Sequence, residues 1–160
     1  MRSLLNTLTA LCLAAATVVS AQSIVQVNNY CTQPHWITVM NGTYFVSGNG
    51  TWELKGSWAY QTPIQGKGNT LGVTATNEYW TFATPKLILG YTADEGQIWW
   101  SVSSLDGAPF PEDHFNVTSP SSISGLESVC GTAMGYEAQN HNCTDTGDVV
   151  VTLNLCFETA

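Results

Sequence analysis

Acids, histidines and cysteines are the residues of this 160-residue chain with the chemistry to make a site. Asp94, Glu95, Asp106, Glu112 and Asp113 lie in or just beyond the aromatic segment Lys86 to Phe110. Paired carboxylates can protonate a glycosidic oxygen while activating water or attacking the sugar. Each of these five, however, stands where a turn would leave it solvated. Glu53 alternates with Trp52 and Leu54 in the run Thr51 to Lys55, which makes it a solvent-facing strand residue. His35, His114 and His141 are widely spread without zinc-type spacing, and no serine has a Gly-x-Ser-x-Gly setting. No metal, cofactor or catalytic residue is expected from these patterns.

The cysteines point to structure. Arg2, the apolar run from Leu4 through Ala16 and the small residues Val19-Ser20-Ala21 have the order of a secretory leader, so residues 1–21 are read as a signal peptide and Gln22 as the mature terminus. That terminus also argues against an N-terminal histidine holding copper. Cys12 belongs to the leader. The other four, Cys31, Cys130, Cys143 and Cys156, suit disulfides in an oxidising compartment and allow three pairings. Cys31–Cys156 would tie the first strand to the last, leaving Cys130–Cys143 to close a local loop; a metal bound by His141 and Cys143 is the alternative. Four sequons, at Asn41, Asn49, Asn116 and Asn142, fit a secreted glycoprotein with those loops facing water. Asn142 adjoins Cys143, so glycan transfer there competes with bridge formation.

Without the leader, three lysines face twelve acidic residues and no arginine remains, a net charge of about −9. Nucleic acid is excluded as a partner, since phosphate neutralisation needs clustered Lys and Arg. Neither a membrane span nor a lipid anchor is indicated. Residues 22–160 are expected to form one domain.

The elements that position these residues are short alternating runs bounded by Gly, Asn, Ser and Pro, the pattern of an antiparallel β-sandwich. Strands are expected near residues 23–28, 35–39, 51–55, 57–62, 70–75, 114–118 and 148–155, the last apolar enough to be central. Residues 119–147 lack periodicity and read as an excursion with a short helical turn near Glu127. The clearest element is a hairpin of Leu87–Thr92 and Gln97–Ser103 around the loop Ala93-Asp94-Glu95-Gly96. Direct matching places Tyr91 opposite Ile98, Leu89 opposite Trp100 and Leu87 opposite Val102 on a core face. The other face then sets Trp99 over Gly90, with Ser101 diagonal to Gly90. A ring over a glycine serves either as steric compensation or as a shelf for a ligand.

Ile24-Val25-Gln26-Val27-Asn28-Asn29-Tyr30-Cys31, Gly90-Tyr91-Thr92 and Ile98 through Phe110 together resemble the small fungal secreted thaumatin-like proteins, including the yeast-phase-specific antigen group. The resemblance implies a thaumatin-like β-sandwich and an extracellular role. It also implies an acidic, glucan-associated cleft, but the family's glutamate falls at Gly90, its aspartate at Ser101, and its arginine has no counterpart. The leading expectation is therefore a noncatalytic secreted protein that binds a cell-wall glycan or a host surface protein. Trp99, Ser101, Gly90, Trp58 and Tyr60 are its candidate contacts, drawn from a chain whose six tryptophans should be about half core. Two alternatives are a weak β-1,3-glucan hydrolase with a displaced pair such as Glu53 and Asp106, and a virulence or defence-modulating factor that contacts another protein.

Overall fold

A computed structural model describes residues 22–40, 50–111, 114–119, 130–137 and 139–157. The leader, Asn41, Asn49, Glu112, Asp113 and the expected helical turn at Glu127 lie outside the described residues. The elements are β1 (Ile24–Asn29), β2 (His35–Met40), β3 (Gly50–Leu54), β4 (Trp58–Pro63), β5 (Asn69–Thr74), β6 (Lys86–Asp94), β7 (Gln97–Leu105), β8 (Phe115–Thr118), β9 (Ala133–Met134), β10 (His141–Thr144) and β11 (Val150–Leu155). They form a five-stranded sheet ordered β4-β1-β11-β8-β9 and a six-stranded sheet ordered β10-β7-β6-β5-β2-β3. All pairs are antiparallel except β1 with β11. Among the described residues no helix is long and apolar enough to cross a membrane.

Alternation builds the core. Val25 and Val27 on β1, Val151, Leu153 and Leu155 on β11, and Phe115 and Val117 on β8 are fully buried, as are Leu71, Val73, Leu87 and Leu89 of the other sheet. These side chains belong to one continuous apolar cluster. As its composition suggests, β11 occupies the middle of its sheet. Cys31 and Cys156 are bonded across a separation of 125 residues, and Cys130 and Cys143 across 13.

The hairpin differs from its sequence-based reading. Glu95 and Gly96 both take positive φ, 49° and 74°, so the connection is a two-residue turn of the primed kind and the strands run to Asp94 and Gln97. Pairing consequently shifts by two positions. Tyr91 faces Trp100, Leu89 faces Val102, Gly90 faces Ser101 and Thr92 faces Trp99. An even shift keeps every side chain on its predicted face, so the core assignment survives while each cross-strand partner changes. Trp99 does not cover Gly90. A ring does cover Gly72, where a Cβ would collide with Tyr79.

The excursion between residues 119 and 147 holds two strands that periodicity did not reveal, β9 and β10, too short to show an alternating pattern. It is pinned from three directions. Cys130 bonds Cys143, the Trp100 Nε1 donates to the Cys130 carbonyl at 2.9 Å, and His141 stacks on Trp100 with centroids 4.0 Å apart at 12°. Gly131 has φ 86°, and a Cβ there would come 2.5 Å from the His141 Nδ1. The glycine thus lets the chain turn tightly beneath the imidazole and bring β10 onto the edge of β7.

Candidate functional site

The five candidate contacts occupy two separate surfaces. Gly90, Trp99 and Ser101 lie on the outer face of the six-stranded sheet and, with Gly68, Thr70 and Asn140, border a shallow depression of about 360 Å³. Gly90 and Ser101 are direct partners rather than diagonal neighbours, and a Cβ at Gly90 would rest 3.6 Å from the Ser101 Oγ. The floor is therefore small and neutral, and Trp99 is half-exposed at its side. Among the described residues that border this depression there is no carboxylate.

Trp58 and Tyr60 stand elsewhere, on β4 at the edge of the five-stranded sheet. Their partners on β1 are Asn29 and Val27, both fully buried, so these rings project from the inward side of an edge strand. Trp52 on β3, the edge of the other sheet, pairs with the buried Ile37 and stacks on Tyr60 at 5.6 Å and 25°. Trp52, Tyr60 and Trp58 thus form an aromatic row along the open flank of the sandwich, where the two edge strands meet. Burial raises the pKa of the Tyr60 phenol despite the Thr62 hydroxyl beside it. Burial also pushes Tyr91 up to about 12, against the Thr62 hydrogen bond and with a further rise from the nearby Tyr60. Both phenols are neutral donors at physiological pH.

Tryptophan burial departs from expectation. Of the six, only Trp100 is buried and Trp36 is partly covered; Trp52, Trp58, Trp80 and Trp99 are 43–63% exposed. The sheets are filled by Val, Leu and Ile, which leaves the large rings outside.

Glu53 and Asp106 do not come together. Glu53 is exposed on β3, and Asp106 follows β7 on the far side of the same sheet. Four strand spacings separate them, roughly 19 Å, beyond the ~5–9.5 Å used by glycosidase carboxylates. Asp106 is moreover engaged by Lys86, whose Nζ lies 2.9 Å from its Oδ2. That ammonium is buried, donates to the carbonyls of Thr81 and Thr84, and lies 5.8 Å from the Tyr79 ring centroid. Lys86 therefore clamps the 75–85 loop over the sheet, a role that no sequence signal announced. Asp94 pairs with Lys67 at 2.7 Å at the surface.

The histidines are less dispersed than their spacing implied. His35 and His114 border the same hollow of about 450 Å³ beside the Cys31–Cys156 bridge, with Tyr30, Phe110 and Phe157 as its aromatic walls. Desolvation lowers the His35 pKa, partly offset by a hydrogen bond with the Gln33 backbone, and its ring packs 4.8 Å from Phe110. His141 lies apart, over Trp100. Among the described residues no three His, Cys, Asp or Glu side chains are grouped to hold a metal.

Two sequons are described. Asn142 is exposed on β10. Asn116 contradicts the expectation of a water-facing loop: it is buried in β8, and its Oδ1 accepts from the Asn154 Nδ2 at 2.8 Å. That bond ends an amide ladder across the outer face of the five-stranded sheet, running from Gln61 through Gln26, Asn28 and Asn154. A glycan would attach through the Asn116 Nδ2, not through the Oδ1 that this bond uses.

No curated protein matches the sequence. Solved structures similar in fold include the protein elicitor MoHrip2 from Magnaporthe oryzae, with TM-score 0.62 and 18% identity over 84% of this chain and 99% of that one, and the thaumatin-like xylanase inhibitor TLXI, with TM-score 0.58 and 14% identity over 83% and 99%. At such identities the likeness shows the fold, a thaumatin-like β-sandwich. The family model described as Blastomyces yeast-phase-specific protein matches residues 12–156. With that match spanning both sheets and both disulfides, the chain belongs to the Blastomyces yeast-phase-specific protein family and is a small fungal thaumatin-like protein.

Proposed function

We propose that this chain is a secreted, noncatalytic protein that binds a neutral cell-wall glycan along the open flank of its sandwich. The row Trp58, Tyr60 and Trp52 carries the proposal. Residues two apart on a strand present rings about 6.5–7 Å apart, a spacing over which successive sugars of an extended polymer can stack. Trp58 is 61% exposed, and the stack of Trp52 on Tyr60 holds the neighbouring rings in place. The wide separation of Glu53 and Asp106 and the neutral floor at Gly90 and Ser101 disfavour hydrolysis. An elicitor and a xylanase inhibitor as structural neighbours fit a role without catalysis. The test is retention of the oxidised protein on insoluble β-1,3-glucan and chitin, with release of reducing sugar from laminarin measured alongside. Absence of retention on both polymers removes the glycan reading; sugar release restores the hydrolase.

A second reading, contact with another protein, is favoured by one observation. The 75–85 loop presents Trp80 and Phe82, the latter 90% exposed, on a base fixed by Lys86 and by Tyr79 packed on Gly72. If this reading holds, Phe82→Ser abolishes capture of a host surface protein while leaving glucan retention unchanged.

A further inference from the structure

Asn142 on β10 is the direct cross-strand partner of Trp99 on β7. Directly opposed residues share a face, with Cβ atoms about 4.5–5.5 Å apart. Both are exposed, and β10 is the outermost strand of its sheet, so the Asn142 amide meets no further strand on that side. Asn142-Cys143-Thr144 is a complete acceptor sequon. We infer that Asn142 carries an N-linked glycan whose first sugar lies on the Trp99 indole. Trp99 is then an internal platform for the protein's own carbohydrate rather than a contact for an external polymer.

The transfer takes its oligosaccharide from a polyprenyl pyrophosphate donor. A C–N bond forms between the Asn142 Nδ2 and the anomeric carbon, the C–O bond to the pyrophosphate breaks, and the amide gives up one proton to the transferring enzyme's base. Once β10 docks, the bridge and the stack of His141 on Trp100 fix Asn142 beside Trp99. The apolar face of an N-acetylglucosamine ring then covers indole that would otherwise meet water, in the way that amphipathic rings hide one side and wet the other. Small residues at Gly90 and Ser101 leave the depression beside the indole open to the same sugar. A glycan there also shields the unpaired edge of β10 from strand addition.

The inference rests on the secretory part of the function proposed above, not on glucan binding. The full chain with its own leader, secreted from a eukaryotic host with a carbon-13-labelled glycan, is mapped by glycopeptide mass spectrometry and then by NMR. The expected result is occupancy at Asn142, with N-acetylglucosamine protons shifted upfield by the indole ring current. That shift is lost in Trp99→Ala and retained in Trp99→Phe. Should Trp99→Ala fail to be secreted, enzymatic removal of the glycan from the wild-type protein serves instead, with an increase in indole quenching by acrylamide expected. An unmodified Asn142 in secreted, disulfide-intact protein overturns the inference, as do sugar shifts indifferent to Trp99 or quenching unaltered by deglycosylation. Glucan retention measured on the same samples reports on the flank alone, so the two readings fail separately.

Discussion

The ring of Tyr79 rests on Gly72 so closely that a single added methyl group would overlap it. Gly72→Ala should therefore expel the ring and loosen the 75–85 loop, at a cost of about 1–3 kcal/mol. Gly90→Ala on the neighbouring strand is the control. Its Cβ meets only Ser101, in ordinary contact at 3.6 Å from the Oγ, and relief of the glycine's entropy cost predicts a neutral effect or a gain of about 0.5–1 kcal/mol. Thermal denaturation of the two variants should move in different directions.

Lys86 joins that loop to the end of β7. Its ammonium is buried with Asp106 as its only carboxylate partner among the described residues. Asp106→Asn leaves the charge with carbonyl partners alone and should cost about 1–3 kcal/mol, below the range for fully buried pairs because Asp106 is partly exposed. Urea unfolding measures this, and an unchanged midpoint would show that the carbonyls of Thr81 and Thr84 suffice.

Cys31–Cys156 closes a far longer loop than Cys130–Cys143. Chain entropy predicts a loss of about 4–5 kcal/mol for the double Cys31→Ser, Cys156→Ser variant and about 3 kcal/mol for Cys130→Ser, Cys143→Ser. Equal losses in urea titrations would mean that the parallel pairing of β1 with β11 already confines the termini in the unfolded ensemble.

The His35 imidazole should make stability fall in mild acid. Burial lowers its folded-state pKa below the ordinary value of 6.5, so the unfolded chain binds a proton first. Stability is complete above the unfolded value and declines as pH drops from there toward the folded pKa. His35→Phe keeps a ring against Phe110 and should flatten this part of the stability–pH curve, measured as urea midpoints across the window.

On the flank, Trp58→Ala should weaken retention on insoluble glucan by roughly threefold to tenfold, the range of one aromatic stacking contact. Trp99→Ala should leave retention unchanged when Asn142 is glycosylated. The reverse ranking in a depletion assay would move the glycan site to the sheet face.

Much of the sandwich was legible because alternation is local. Val25 and Val27, or Leu87 and Leu89, show their buried side to anyone counting by twos, and an error of two positions in the hairpin left every face intact. Cysteine position favoured one of three open pairings, because Cys31 with Cys156 would tie the first strand to the last, and the structure has that pairing. The resemblance sets the family's glutamate and aspartate at Gly90 and Ser101, side chains that carry no carboxylate in any register.

The tertiary structure decided what depends on partners distant in the chain. The cross-strand partner of Trp99 turned on the positive φ of Glu95 and Gly96, a backbone choice that composition alone leaves open. The burial of Asn116 needed Asn154 beside it, and the row of Trp58, Tyr60 and Trp52 needed edge strands from two different sheets to converge. A sequence states which side of a strand a residue takes. Only the packed sheets determine what lies across from it, and for Trp99 that neighbour is Asn142.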